Sequence, residues 1–161
     1  MVNKGVKFIQ MVKNGESEFN NVPNLFLGEY EPVVTKGFRL ALPKKIREAL
    51  KNDNYIVLTR GFEGCIAGYS KDFWAKESAK TLSSSVEDKR SRLLKRYIFS
   101  GAFEVEYDTQ GRIVIPRNLA TGAGINEEVK STVLIGAGDH FEIWNKVHWL
   151  KSLEEAEKEL L

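Results

Sequence analysis

Arg39-Leu40-Ala41-Leu42-Pro43 returns 73 positions later as Arg112-Ile113-Val114-Ile115-Pro116, an arginine–apolar–x–apolar–proline string spelled with different apolar residues. Self-similarity at a fixed offset is the mark of a duplicated unit, and the likeness extends outward from both strings. Tyr55–Thr59 is matched in character by Thr132–Ile135, and Tyr69-x-x-x-x-Trp74 by Trp144-x-x-x-x-Trp149 at an offset of 75. The order of events is kept, with small insertions between them. The chain therefore reads as an extension over residues 1–24, a first copy with its helices over 25–98, and a second copy with a C-terminal helix over 99–161. Copies of about 70 residues are too small to bury a comfortable core alone, so the two are expected to share one.

Each copy reads as a short strand, a turn, and a second strand that ends in proline. Proline loses no needed donor at the start of a helix, so Pro43 should open one through about Lys51, with Ile46, Ala49 and Leu50 as its apolar stripe and Asn52-Asp53-Asn54 as its stop. The helix after Pro116 meets Gly122 and Gly124 early and is expected to be shorter. Strands follow over Tyr55–Thr59 and Cys65–Tyr69, and over Thr132–Gly136 and Phe141–Trp144; helices then begin near Lys71 and Lys146. Phe103-Glu-Val-Glu-Tyr107 alternates as a half-buried strand does. Ser84-x-x-Glu87 has the form of a capping box that would start one more helix. The fold class is α+β and β-rich, with an internal pseudo-twofold. Met1–Asn24 carries five asparagines and few apolar clusters and reads as a mobile extension, a helical oligomerisation arm being the alternative; Leu150, Leu153 and Leu160 read as a packing stripe of the last helix.

Composition narrows the classes. A chain of 161 residues with 42% hydrophobic and 29% charged residues is globular rather than disordered. Nothing approaches the ~18 apolar residues of a membrane helix, and Lys7 and Gln10 break the only stretch resembling a signal core. A single cysteine, Cys65, leaves no internal disulfide and suits the cytoplasm. The net charge of +2 is unevenly spread. Val33–Arg47 holds Lys36, Arg39, Lys44, Lys45 and Arg47 with no acid, and Lys89–Arg96 holds five more basic residues in eight. Each segment is +5, which leaves −8 on the other 138 residues. Such polarity lets one face bind phosphates without general adhesion. The second cluster has acids at helical spacing, Glu87 to Arg90 and Asp88 to Arg92, and reads as a solvated helix face. The first projects from apolar scaffolding and is the candidate ligand segment.

Tyr107-Asp108-Thr109-Gln110-Gly111-Arg112-Ile113-Val114-Ile115-Pro116 closely resembles the Asp-x-x-Gly-Arg-apolar-x-apolar-Pro motif of the AbrB/SpoVT swapped-hairpin DNA-binding proteins. Two such motifs in one chain of this length make it similar to the MraZ family, whose opening and later signatures are matched by Phe26-Leu27-Gly28-Glu29-Tyr30, Thr59-Arg60-Gly61-x-x-Gly64-Cys65 and Phe141-Glu142-Ile143-Trp144. The resemblance spans about residues 25–155. It implies two AbrB-like halves paired as AbrB subunits pair, in a double-split β-barrel with flanking helices. It further implies a nucleoid-associated bacterial transcriptional regulator. Such a protein forms homo-oligomeric rings and binds repeated sites on double-stranded DNA upstream of the cell-division and cell-wall gene cluster, often at its own promoter. The DNA-reaching arginine of the family falls on Arg112 and, anchored by Pro43, on Arg39; a further one falls on Arg47. Lys36, Lys44 and Lys45 would add positioning contacts. The sequence departs from the motif in the first copy, where Phe38 stands for glycine and Thr35 for aspartate. Because phenylalanine is poorly suited to φ > 0, a turn one residue longer is expected there. In the second copy Ala120 replaces the arginine matching Arg47, with Arg117 as its substitute.

Two other classes compete with this reading. An enzyme would need a nucleophile or acid–base pair, but His140, His148 and Cys65 fall in no motif spacing, with His140 read as a turn residue and His148 as a helix-surface one. Gly136-x-Gly138 and Gly122-x-Gly124 lack the third glycine of a dinucleotide loop, and one cysteine with two histidines makes no metal-ligand series. No cofactor, metal or small-molecule ligand is expected, and Phe73, Trp74 and Trp149 read as core. A ring-forming protein-interaction module with weakened operator recognition is the remaining alternative.

Overall fold

The prolines that close the two strings divide strand from helix. Pro43 (φ −54°, ψ 144°) and Pro116 (φ −54°, ψ 131°) each occupy the cap position immediately before a six-residue helix. The computed structural model describes residues 24–51, 53–127 and 132–161, so the expectations for the N-terminal extension lie, Asn24 apart, outside the described residues. In chain order the elements are β1 (Glu29–Tyr30), β2 (Val34–Thr35), β3 (Arg39–Ala41), α1 (Lys44–Ala49), β4 (Tyr55–Arg60), β5 (Ile66–Tyr69), α2 (Lys71–Leu82), α3 (Lys89–Phe99), β6 (Phe103–Glu106), β7 (Arg112–Val114), α4 (Arg117–Gly122), β8 (Thr132–Gly136), β9 (Phe141–Asn145) and α5 (Lys146–Leu160).

The helices α1 and α4 are the same length, which corrects the expectation of a shorter second helix. Lys51 (φ 55°) takes the left-handed conformation that Gly124 (φ 66°) takes 73 residues on, so both helices unwind at the same point and α1 stops before the asparagines. The capping box also needs correction. Ser84 gives its hydroxyl to the Thr81 carbonyl at the end of α2 (2.6 Å), and Asp88 caps α3 by accepting from the Ser91 N–H at 2.8 Å. Glu87 and Asp88 thus precede the helix, where a carboxylate satisfies its first amides and suits its dipole.

Two sheets carry the fold. One has the order β1-β8-β9-β5-β4-β6 and the other β2-β3-β7. Their registers expose the duplication. Leu40 pairs with its own counterpart Ile113, flanked by Arg39 opposite Val114 and Ala41 opposite Arg112. In the larger sheet β5 pairs with β9, again its counterpart, centred on Ala67 opposite Glu142. The leading strand of each copy joins the other copy's hairpin: β1 adds to β8 and β6 adds to β4. Strands are thus exchanged in both directions about a pseudo-twofold axis. Both sheets are open, ending on β1 and β6 in one and on β2 and β7 in the other.

The exchange explains the shared core. Leu40, Leu42, Ile46 and Leu50 from the first copy and Ile113, Ile115, Leu119 and Ala123 from the second are all at most 3% exposed and belong to one cluster with Phe26, Ile56, Leu58, Leu134, Phe141 and Ile143. The two aromatic spacings also become contacts, Tyr69 with Trp74 at 5.5 Å between ring centroids and Trp144 with Trp149 at 5.8 Å. Ser70 and Asn145 cap the helices between them, through the Phe73 N–H and the Val147 N–H respectively. Among the described residues no helix is long and apolar enough to cross a membrane.

Candidate nucleic-acid interface

A three-residue loop closes each small hairpin. Thr35 pairs with Arg39 around Lys36-Gly37-Phe38, and the Asp108 N–H donates to the Arg112 carbonyl (2.9 Å) around Thr109-Gln110-Gly111. The last loop residue is left-handed in both, Phe38 at φ 55° and Gly111 at φ 74°. The carbonyls of these residues accept equivalent bonds, Ile115 N–H to Phe38 O and Leu42 N–H to Gly111 O, each at 2.9 Å. The first turn is therefore not lengthened. Phe38 occupies the glycine position itself, because inter-copy pairing on both sides fixes the loop length whatever the side chain prefers.

This places Arg39 and Arg112 at matching sites. Leu40 and Ile113 face inward, so alternation turns Arg39, Ala41, Arg112 and Val114 to the solvent face of the small sheet. Two guanidinium groups thus flank the pseudo-twofold on one surface. Their surroundings differ. Asp108 accepts Arg112 Nε at 2.8 Å and the backbone N–H groups of Arg112 and Gln110 at 3.0 and 2.9 Å. Its carboxyl is held below the usual range first by the Arg112 backbone N–H and then by the guanidinium. The ion pair uses Nε and fixes the arginine's direction. In the first turn Thr35 stands for that aspartate and gives its hydroxyl to the Arg39 carbonyl (3.3 Å), while Arg39 Nη1 donates to Lys36 O (3.2 Å). Arg39 makes no ion pair among the described residues and keeps its full charge for a ligand.

The helices that follow the prolines lean over the opposite copy's turn. Arg47, on α1, lies against Gly111, where a Cβ would fall 2.6 Å from its Cδ. Arg117, at the start of α4, lies over the Phe38 ring with its guanidinium carbon 5.6 Å from the centroid. Lys44 pairs with Glu48 at 3.8 Å, both well exposed, a contact of little energetic weight. Lys36, Lys45 and Arg47 make no ion pair among the described residues. All seven predicted residues border the two turns or start the helices behind them. Such forks and point charges suit phosphate oxygens and guanine edges.

The second basic cluster is partly spent on structure. Arg92 Nη1 donates to the carbonyls of Val86 and Glu87, both at 2.8 Å, and Lys95 Nζ to that of Ser84 at 2.8 Å, tying down the loop before α3. Arg60, part of a family signature but not an expected site residue, donates Nη1 to Tyr97 O (2.9 Å) and Ser100 Oγ (2.7 Å). It borders a cleft of about 300 Å³ reached also by Tyr69, Trp74, Glu77, Asp139, His140 and Glu142. No group of three potential metal ligands occurs among the described residues.

A family profile described as "MraZ protein, putative antitoxin-like" matches the chain twice, over residues 25–97 and 98–160. A protein of Lactobacillus helveticus called "Transcriptional regulator MraZ" is 38% identical over 135 residues, 84% of this chain and 91% of that protein. Proteins of the same description from Roseiflexus castenholzii and Caldicellulosiruptor bescii are 38% and 39% identical, covering 78% and 80% of this chain and 84% and 87% of their own.

Proposed function

The chain belongs to the MraZ family, a family of regulators rather than enzymes, and from that premise we propose that it is a transcriptional regulator that binds double-stranded DNA sequence-specifically. The observation that carries the reading is the placement of Arg39 and Arg112 on one solvent face, at equivalent turns either side of a pseudo-twofold axis. A two-fold pair of arginine forks on one open face suits the phosphate oxygens and base edges of duplex DNA. Lys36, Lys44, Lys45, Arg47 and Arg117 supply the phosphate contacts that orient the tips.

The sites are repeated promoter-proximal sequences of the cell-division and cell-wall gene cluster, the protein's own promoter among them, and it works in the cytoplasm on the nucleoid. The two repeats, over 25–98 and 99–161, form the two halves of a double-split barrel, and copies of the chain assemble into a ring. A ring presents the arginine face at regular intervals, so contacts that are weak singly are multiplied on repeated DNA.

Gel shift of the full chain against duplex from its own upstream region, at two salt concentrations, tests this reading. The expected result is a specific complex whose affinity falls steeply as salt rises; equal affinity for random duplex would overturn it. Arg39→Ala should cost about 1–3 kcal/mol of specific binding, within the range of one bidentate base contact. Arg112→Ala should cost less, because Asp108 already shares its charge.

A further inference from the structure

The first turn keeps a strained phenylalanine where the second has glycine, and the neighbouring helices show what that ring does. Over Gly111 lies Arg47, whose Cδ, Nε and Nη1 would stand 2.6–2.9 Å from any Cβ, so a side chain in the second turn would displace the arginine from its place. The residue equivalent to Arg47 is Ala120, which is fully buried and ends at a methyl group. The space that Arg47 fills at one turn is left to Phe38 at the other, and Phe38 packs against the core cluster to which Ala120 belongs.

The outer face of the Phe38 ring carries the Arg117 guanidinium at 5.6 Å. That distance lies within the reach of a cation–π contact. Arg117 has no acidic neighbour one turn on in its own helix, since Thr121 stands where Glu48 follows Lys44, and it makes no ion pair among the described residues. Its charge is therefore held in place without being neutralised. We propose that Phe38 is a positioning residue that holds Arg117 beside Lys36 and Arg39 as a DNA-phosphate contact, so that the first reading turn is a composite of both repeats. The second turn is the converse composite, Arg47 of the first repeat roofing Gly111 beside Arg112.

This inference rests on the DNA-binding reading, and its test separates the two. Affinity of the full chain for its upstream duplex is measured across a salt series for the native protein, Phe38→Leu, Phe38→Gly, Phe38→Tyr, Arg117→Ala and the Phe38→Leu/Arg117→Ala double variant. Arg117→Ala should weaken binding several-fold at low salt and reduce the salt slope by about one. Phe38→Leu, which keeps apolar bulk without an aromatic face, and Phe38→Gly, which restores the motif glycine, should show the same loss. Phe38→Tyr should bind like the native protein. The double variant should be no weaker than Arg117→Ala alone. Native-like affinity and slope in Phe38→Leu, or strictly additive losses in the double variant, would overturn the proposal while the native complex still forms. If the native chain itself forms no specific complex, the DNA reading has failed instead.

Discussion

At Lys51 the backbone is left-handed (φ 55°), and its counterpart Gly124 has nearly the same angle (66°). A side chain in that region costs about 1–2 kcal/mol, partly offset by the ~0.5–1 kcal/mol of extra chain entropy that a glycine must lose. Lys51 is exposed and makes no ion pair among the described residues, so little is lost with it. Lys51→Gly is accordingly expected to stabilise the fold by about 0.5–1 kcal/mol. Gly124→Ala should destabilise it by about 1–2 kcal/mol, since its Cβ would also sit 3.3 Å from His148 Cε1. Denaturant unfolding of both variants checks the pair, and the opposite order would contradict the argument. The same reasoning shows what the residues alone conceal. Phe38 argued for a longer first turn because phenylalanine resists φ > 0. What overrides that preference is the bond from Ile115 N–H to Phe38 O, made by the residue after β7, 77 positions away. The local preference of phenylalanine is real and is outweighed by a contact that no local window contains.

The β8–β9 hairpin shows the same division at the scale of an element. Strand alternation places His140 and Glu142 on one face, and Asp139 precedes them in the turn, so two of the imidazole's neighbours are legible. The third is not, because Tyr69 arrives from β5 and stacks on the ring at 5.3 Å. Asp139 Oδ1 lies 2.7 Å from Nδ1 and Glu142 Oε1 3.0 Å from Nε2, while the other Glu142 oxygen accepts the Trp144 indole N–H at 2.8 Å. Both ring nitrogens can donate to these carboxylates only when the imidazole is protonated. Burial opposes that charge, but the hydrogen bonds to Glu142 and Asp139 outweigh it and hold His140 above its ordinary value. Arg60, Glu63 and Glu77 border the same cleft and set the surrounding field. A raised folded-state value gives stability that is full below the unfolded-state pKa, near 6.5, and is lost as pH rises through the folded one. Thermal stability should therefore fall as pH rises above about 6.5, and this component of the fall should disappear in His140→Gln. A ring titration by NMR at or below the ordinary histidine value would refute the assignment.

At the scale of the whole molecule, the copies meet in two ways: β1 with β8 and β6 with β4 are exchanged strands, while β3 with β7 and β5 with β9 are counterparts paired with each other. The duplication and the common core were legible because apolar spacing repeats at a constant offset. The exchange was not, since two copies side by side and two copies interleaved have the same sequence periodicity; only the family resemblance pointed to it. Its consequence concerns which halves fit together. Arg47 of the first copy lies directly over Gly111, while Ala120 of the second belongs to the core cluster against which Phe38 packs. Two first copies paired with each other would set Arg47 against Phe38 at both turns, and two second copies would leave Ala120 over Gly111 with the space empty. Arg47 is exposed and would have to swing aside over Phe38, and the turn over Ala120 would lose packing, so both self-pairings are disfavoured relative to the cross-pairing. The chain cleaved after Gly101, between α3 and β6, should thus give halves that lack cooperative unfolding when separate. They should reassociate as one-to-one heterodimers when mixed, measured by native mass spectrometry and circular dichroism. Replacing Phe38 by glycine in the first half should relieve the clash and raise its self-paired fraction. A statistical mixture of self-paired and cross-paired halves, unchanged by that substitution, would show that the turn–helix contacts do not choose the partner.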